Sequence, residues 1–140
     1  MPRRDPIEVL EQFFREHPEG VVSAYLFGSH ARGTAHRESD IDVAVLFDRN
    51  VFPASDQRFE QRVRLTNDLI AALKQNEVDV IVLNDVPPQL ARVALRGRRV
   101  FCRDSEADHA FTRTTLSRAA DLEPFLRRVR RLKLDAIARK

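Results

Sequence analysis

The sequence predicts an α+β fold, a small mixed sheet packed with helices, and three observations carry that prediction. Four short apolar runs, Val21 to Phe27, Asp40 to Phe47, Val78 to Leu83 and Val100 to Cys102, are rich in β-branched and aromatic residues and are bounded by turn or charged residues. Between and around them, apolar residues recur at helical spacing over 6–16, 55–74 and beyond 105. The first two runs are joined by a glycine- and charge-rich loop but the second and third by a helical stretch, so one sheet is expected to hold both antiparallel and parallel pairs. The 140 residues contain no internal repeat, low-complexity tract or linker. One domain, 1–140, is therefore expected, with its core at about 21–102, an N-terminal helix at 6–16 and C-terminal helices at about 105–139.

Each element has a local reason. Asp5 and Pro6 supply a helix cap and first position, and Ile7, Leu10 and Phe14 lie on one side of the helix they begin. His17 to Gly20 ends it, and the first strand then delivers Gly28. The second run is apolar on both faces beyond its two acids, as a covered central strand should be. In 55–74 the residues Phe59, Val63, Thr66, Ile70 and Leu73 mark the expected buried side of a crossover helix. Pro87 and Pro88 introduce a short helix through Ala94, and Gly97 stops it before an edge strand flanked by Arg98, Arg99 and Arg103. Ser105 with Asp108 reads as a capping-box-like start for a helix to about Ala120, and Asp121 as the cap of a last helix. There Leu122, Phe125, Val129, Leu132 and Ala136 form an apolar seam, with Arg127, Arg128, Arg130 and Arg131 largely off it. The seam suits packing on its own domain or docking of a partner, and its residues are expected to be buried in either case.

The stretch from Gly28 to Phe47, GSHARGTAHRESDIDVAVLF, carries the chemistry. Gly28 has no side chain to hold a triphosphate away from the backbone. Ser29 brings a hydroxyl and an amide at what reads as a helix start, where free N–H groups and the helix dipole favour anions. Asp40 and Asp42 are one residue apart, and residues i and i+2 of a strand point to the same face. Two carboxylates so placed can share a hard cation such as magnesium, which takes carboxylate, water and phosphate oxygens. If the first two strands are antiparallel neighbours, Gly28 and Ser29 lie beside Asp40 and Asp42. A parallel third strand would bring Asp79 to face the same two acids. Taken singly, a Gly-Ser pair is a common turn, and an Asp-x-Asp can be the solvated side of a half-buried strand. Their combination across ten intervening residues favours the chemical reading.

This stretch resembles the signature of the DNA polymerase beta-like nucleotidyltransferase superfamily, and GSHARG followed by SDIDVAV is most similar to the minimal nucleotidyltransferases, which include the MntA-type antitoxins. The resemblance covers Val21 to roughly Cys102 and implies the nucleotidyltransferase fold. It also implies that Asp79, in EVDVIVLND, completes the metal site as the third acid. Asp40, Asp42 and Asp79 would then hold two magnesium ions, Asp79 would also take or orient the acceptor's proton, and Gly28 and Ser29 would seat the triphosphate of ATP. Arg32 suits either a phosphate contact or an internal salt bridge. The implied activity is protein adenylyltransfer, AMP passing to a hydroxyl, probably tyrosine's, of a partner HEPN-type ribonuclease toxin. Two alternatives stand beside it: a free-standing small-molecule nucleotidyltransferase of the aminoglycoside-modifying kind, and a non-enzymatic antitoxin that binds its toxin. A homo- or hetero-oligomer is compatible with all three.

Composition narrows the field. The net charge is +3 and aromatic residues make up 7% with no Trp, so an anionic substrate or partner is plausible but direct nucleic-acid binding is not expected. Cys102 is the single cysteine, which excludes an internal disulfide and a paired-cysteine zinc site. His17, His30, His36 and His109 show no ligand spacing. Neither a bilayer-spanning apolar run nor a signal core is present, and a cytoplasmic location is expected.

Overall fold

The computed structural model describes residues 5–28 and 40–138, the last six of these by backbone alone. Four strands, β1 (Val21–Phe27), β2 (Ile41–Phe47), β3 (Val78–Val82) and β4 (Arg98–Cys102), form one sheet in the order β3-β2-β1-β4. β1 pairs antiparallel with both β2 and β4, and β2 pairs parallel with β3. The mixed sheet follows from the connections, since only the β2–β3 link, through the helix α2 (Ser55–Leu73), is long enough to return the chain in the same direction.

Alternation along the central strands sends side chains to two cores. Leu26, Ile41, Val43, Val45, Val80 and their neighbours pack against α1 (Pro6–Glu16) and α2, with Leu10, Phe14 and Leu69 fully buried among them. On the other face Val22, Tyr25, Ala44, Leu46 and Leu83 meet α3 (Pro88–Leu95) and α4 (Ser105–Ala138) through Ala91, Ala94, Leu95 and Phe111. The centre of the sheet is therefore dry on both sides, which explains the unbroken apolar run of β2. Asp5 caps α1 as its sequence suggests, accepting from Ile7 N at 2.9 Å.

Three expectations need correction. On α2, Phe59 and Val63 are exposed, while Arg58, Leu65, Leu69 and Leu73 turn inward. Arg58 sets this rotation: its guanidinium makes a two-pronged ion pair with Asp85 at 2.8 and 2.9 Å and donates to the Phe52 carbonyl, so the helix start is tied to the loop after β3. The stretch after 105 is one 34-residue helix rather than two, running through Asp121 and Pro124. Pro124 forfeits one backbone hydrogen bond, but nothing between 105 and 138 supplies the glycine that would end the helix. The seam on α4 is also not buried throughout, for Phe125 is 57% and Leu132 62% exposed. At about 1.5 Å per residue the helix outruns the sheet it starts on, so its second half has no core to enter.

Candidate active site

The candidate site lies where β1 ends and β2 and β3 begin. Antiparallel pairing sets Phe27, the last residue of β1, opposite Asp42, and parallel pairing sets Asp42 opposite Asp79. Ile41 N donates to the Glu77 carbonyl at 3.0 Å, which holds the two strand starts level. Asp40 sits one residue before β2 and is exposed, as is Asp79, whereas Asp42 is half-buried.

Gly28 follows directly with φ +77°, and a Cβ built there would collide with the Asp42 carboxylate. Only glycine meets both demands, a left-handed backbone and room for an acid pressed against the turn. Gly28 and the three acids are thus gathered at one end of the sheet. Among the described residues no three His, Cys, Asp or Glu side chains close into a ready-made metal cage. Backbone register, rather than converged side chains, juxtaposes the carboxylates. An all-oxygen set of this kind suits a hard divalent cation. Ser29 and Arg32, with His30 and His36, lie outside the described residues.

A second polar group on the same sheet face escaped sequence reasoning. Asp108, 3% exposed, accepts hydrogen bonds from Ser23 Oγ at 2.6 Å and Tyr25 Oη at 2.7 Å, and pairs with Arg99 Nη1 at 3.0 Å. Burial, reinforced by the Asp108 carboxylate, raises the Tyr25 phenol well above its ordinary range. The same carboxylate raises the Arg99 guanidinium. Sequence had cast Asp108 as the partner of a Ser105 cap. In the structure Asp104 caps the helix, accepting from Ala107 N at 3.1 Å, and Asp108 turns into the core. The one available signal was a serine and a tyrosine two apart on an otherwise apolar central strand. A cleft of about 830 Å³ lined by Tyr25, Leu95, Asp108, His109, Thr112 and Arg113 opens at this network and takes in none of the three acids.

Residues 8–106 match the family described as polymerase beta, nucleotidyltransferase. The chain belongs to this family. Among its relatives in the nucleotidyltransferase family, protein adenylyltransferase MntA of Shewanella oneidensis is 35% identical over 95 residues, covering 66% of this chain and 62% of that one. A Methanocaldococcus jannaschii protein whose name assigns it protein adenylyltransfer is 37% identical over 57 residues, 36% of this chain and 57% of that one. The chain thus spans less than two thirds of the length of these curated relatives. A chain of a solved toxin–antitoxin complex with AMP-PNP superimposes with a TM-score of 0.65 at 26% identity, over 94% of this chain and 98% of that one. The nucleotidyltransferase fold expected from the signature is confirmed.

Proposed function

We propose that this chain is a magnesium-dependent protein adenylyltransferase that moves AMP from ATP to a tyrosine hydroxyl of a HEPN-type ribonuclease toxin, acting in the cytoplasm as its antitoxin. The observation that carries this reading is the register that sets Asp42 between the end of the glycine strand and Asp79, in a chain similar to MntA over 95 residues. Asp40, Asp42 and Asp79 would hold two magnesium ions, whose contribution when bound is to neutralise charge on the attacking and leaving oxygens. Gly28, through its open backbone, and Ser29 would seat the triphosphate, with Arg32 as a further phosphate contact.

The acceptor oxygen bonds to the α-phosphorus as the bond to the β-bridging oxygen breaks, and pyrophosphate leaves with that electron pair. Asp79, exposed at the start of β3, is placed to accept the hydroxyl proton. Protein acceptance suits the small size of the chain, because a partner brings its own acceptor surface. The second half of α4, with exposed Leu122, Phe125 and Leu132 beside four arginines within five residues, is the surface proposed to meet it.

The deciding experiment incubates the purified chain with labelled ATP, magnesium and the HEPN protein encoded next to it. Label on a toxin tyrosine, abolished in Asp42→Asn, is the expected result. Label on a metabolite or aminoglycoside without any protein acceptor would favour the small-molecule alternative. Neutralisation of the toxin by a variant lacking all three acids would favour simple binding.

A further inference from the structure

We propose that the turn between α3 and β4 forms a cationic arm of the nucleotide site, in which Arg96 and Arg98 hold the β- and γ-phosphates and the departing pyrophosphate. The inference rests on the adenylyltransfer reading above and assigns a phosphate-binding role to residues outside the glycine–aspartate signature.

Three observations carry it. Gly97 packs directly on the end of β1: an added Cβ would collide with the Leu26 carbonyl oxygen and stand 2.9 Å from Phe27 Cβ. The turn is therefore pressed against the two residues that precede Gly28. Register then sets Arg98 opposite Leu26, about 4.8 Å away across the strands and two residues from Gly28. Arg96 closes α3, which crosses the sheet face that bears Asp42 and ends at this same edge.

Both arginines are exposed, and among the described residues neither guanidinium forms an ion pair or side-chain hydrogen bond. Nearby arginines are committed elsewhere, Arg99 to Asp108, Arg103 to Asp48 and Arg92 to Glu123. An exposed, unpaired arginine is ordinary on a surface. Two of them on one turn, clamped beside the glycine at which a triphosphate must arrive, are placed for that ligand.

The charge balance points the same way. Three carboxylates stand at this end of the sheet, and a triphosphate adds several more negative charges. Divalent cations offset part of that total, and more negative charge gathers on pyrophosphate as its bond to the α-phosphorus breaks. Guanidinium groups suit the task because their planar donors match phosphate oxygens two at a time.

Titration calorimetry of magnesium AMP-PNP and of AMP, on wild type and on the double variant Arg96→Ala/Arg98→Ala, tests the assignment. The expected result is AMP-PNP affinity reduced about tenfold or more, AMP affinity unchanged, and partial recovery in Arg96→Lys/Arg98→Lys. Equal AMP-PNP affinity in wild type and double variant overturns this inference and leaves the adenylyltransfer reading standing. So does equal loss for AMP and AMP-PNP, or normal nucleotide binding with slowed association of the protein acceptor, which would make the turn a partner contact. A wild type that binds neither nucleotide brings down the adenylyltransfer reading and the arm with it.

Discussion

Asp108 and Asp42 project from opposite directions toward the same face of the sheet, and the fold treats them differently. Asp108 is closed in and met by two hydroxyls and a guanidinium that originate on β1 and β4. Asp42 stands half-buried at a strand start, level with a second carboxylate, Asp79. Matched donors make a buried charge a tie between elements. Like charges opposed across a strand pair work against folding, so the second arrangement is explained by what binds there rather than by what it stabilises.

Four substitutions or titrations press on that contrast. Asp42→Asn should lower transfer on the order of a thousandfold, since it removes a charge at the reacting centre. Its urea midpoint should stay level or rise, because one of two opposed charges is gone. A variant that transfers normally but unfolds early would make Asp42 structural like Asp108.

Asp108→Ala should do the reverse and cost about 2–4 kcal/mol, by stranding the Ser23 and Tyr25 hydroxyls without an acceptor. The part owed to Arg99 is discounted because that side chain is 44% exposed. Denaturant unfolding measures the loss, and a cost below about 1 kcal/mol would show that the network ties nothing together.

A smaller effect, about 1 kcal/mol, is expected for Tyr25→Phe, which leaves Asp108 two of its three donors. Tyr25 is the only tyrosine, so tyrosinate absorbance reports it alone. Because the folded-state phenol is raised above its unfolded value, its stabilising contribution is complete below about pH 10 and declines as alkalinity increases beyond that. Ionisation of Tyr25 at an ordinary phenol pH in the folded protein would contradict the buried network.

The smallest effect belongs to the outer half of α4. Changing Arg127, Arg128 and Arg131 to Glu should leave nucleotide binding and stability nearly unaltered, while slowing association with an acidic protein partner and reducing its salt dependence. Association kinetics at two salt concentrations that match wild type would return this segment to a solvated helix.

Much of the candidate site was legible because its parts are close in sequence or joined by short rules. Gly28 precedes Asp40 by twelve positions, and Asp79 follows from a parallel crossover whose length could be counted. The Asp108 network was not legible, since its partners lie 85 and 83 residues away and neither residue type announces the pairing. The buried side of α2 was misjudged for a related reason. Phe59 and Val63 fit a helical stripe as well as Leu65 and Leu69 do, and periodicity alone does not say which stripe meets the sheet. The long-range pair between Arg58 and Asp85 makes that choice.

The sequence by itself determined which residues could do chemistry here: a left-handed turn that needs glycine, two acids on one strand face, and a third acid one crossover later. Those are consequences of backbone geometry acting over short distances. Tertiary structure alone decided what surrounds them. It set the turn of Gly97 against the end of β1, turned Asp108 inward, and carried α4 past the edge of the core. Such outcomes depend on how whole elements pack, and packing sums many weak contacts between residues far apart in the chain.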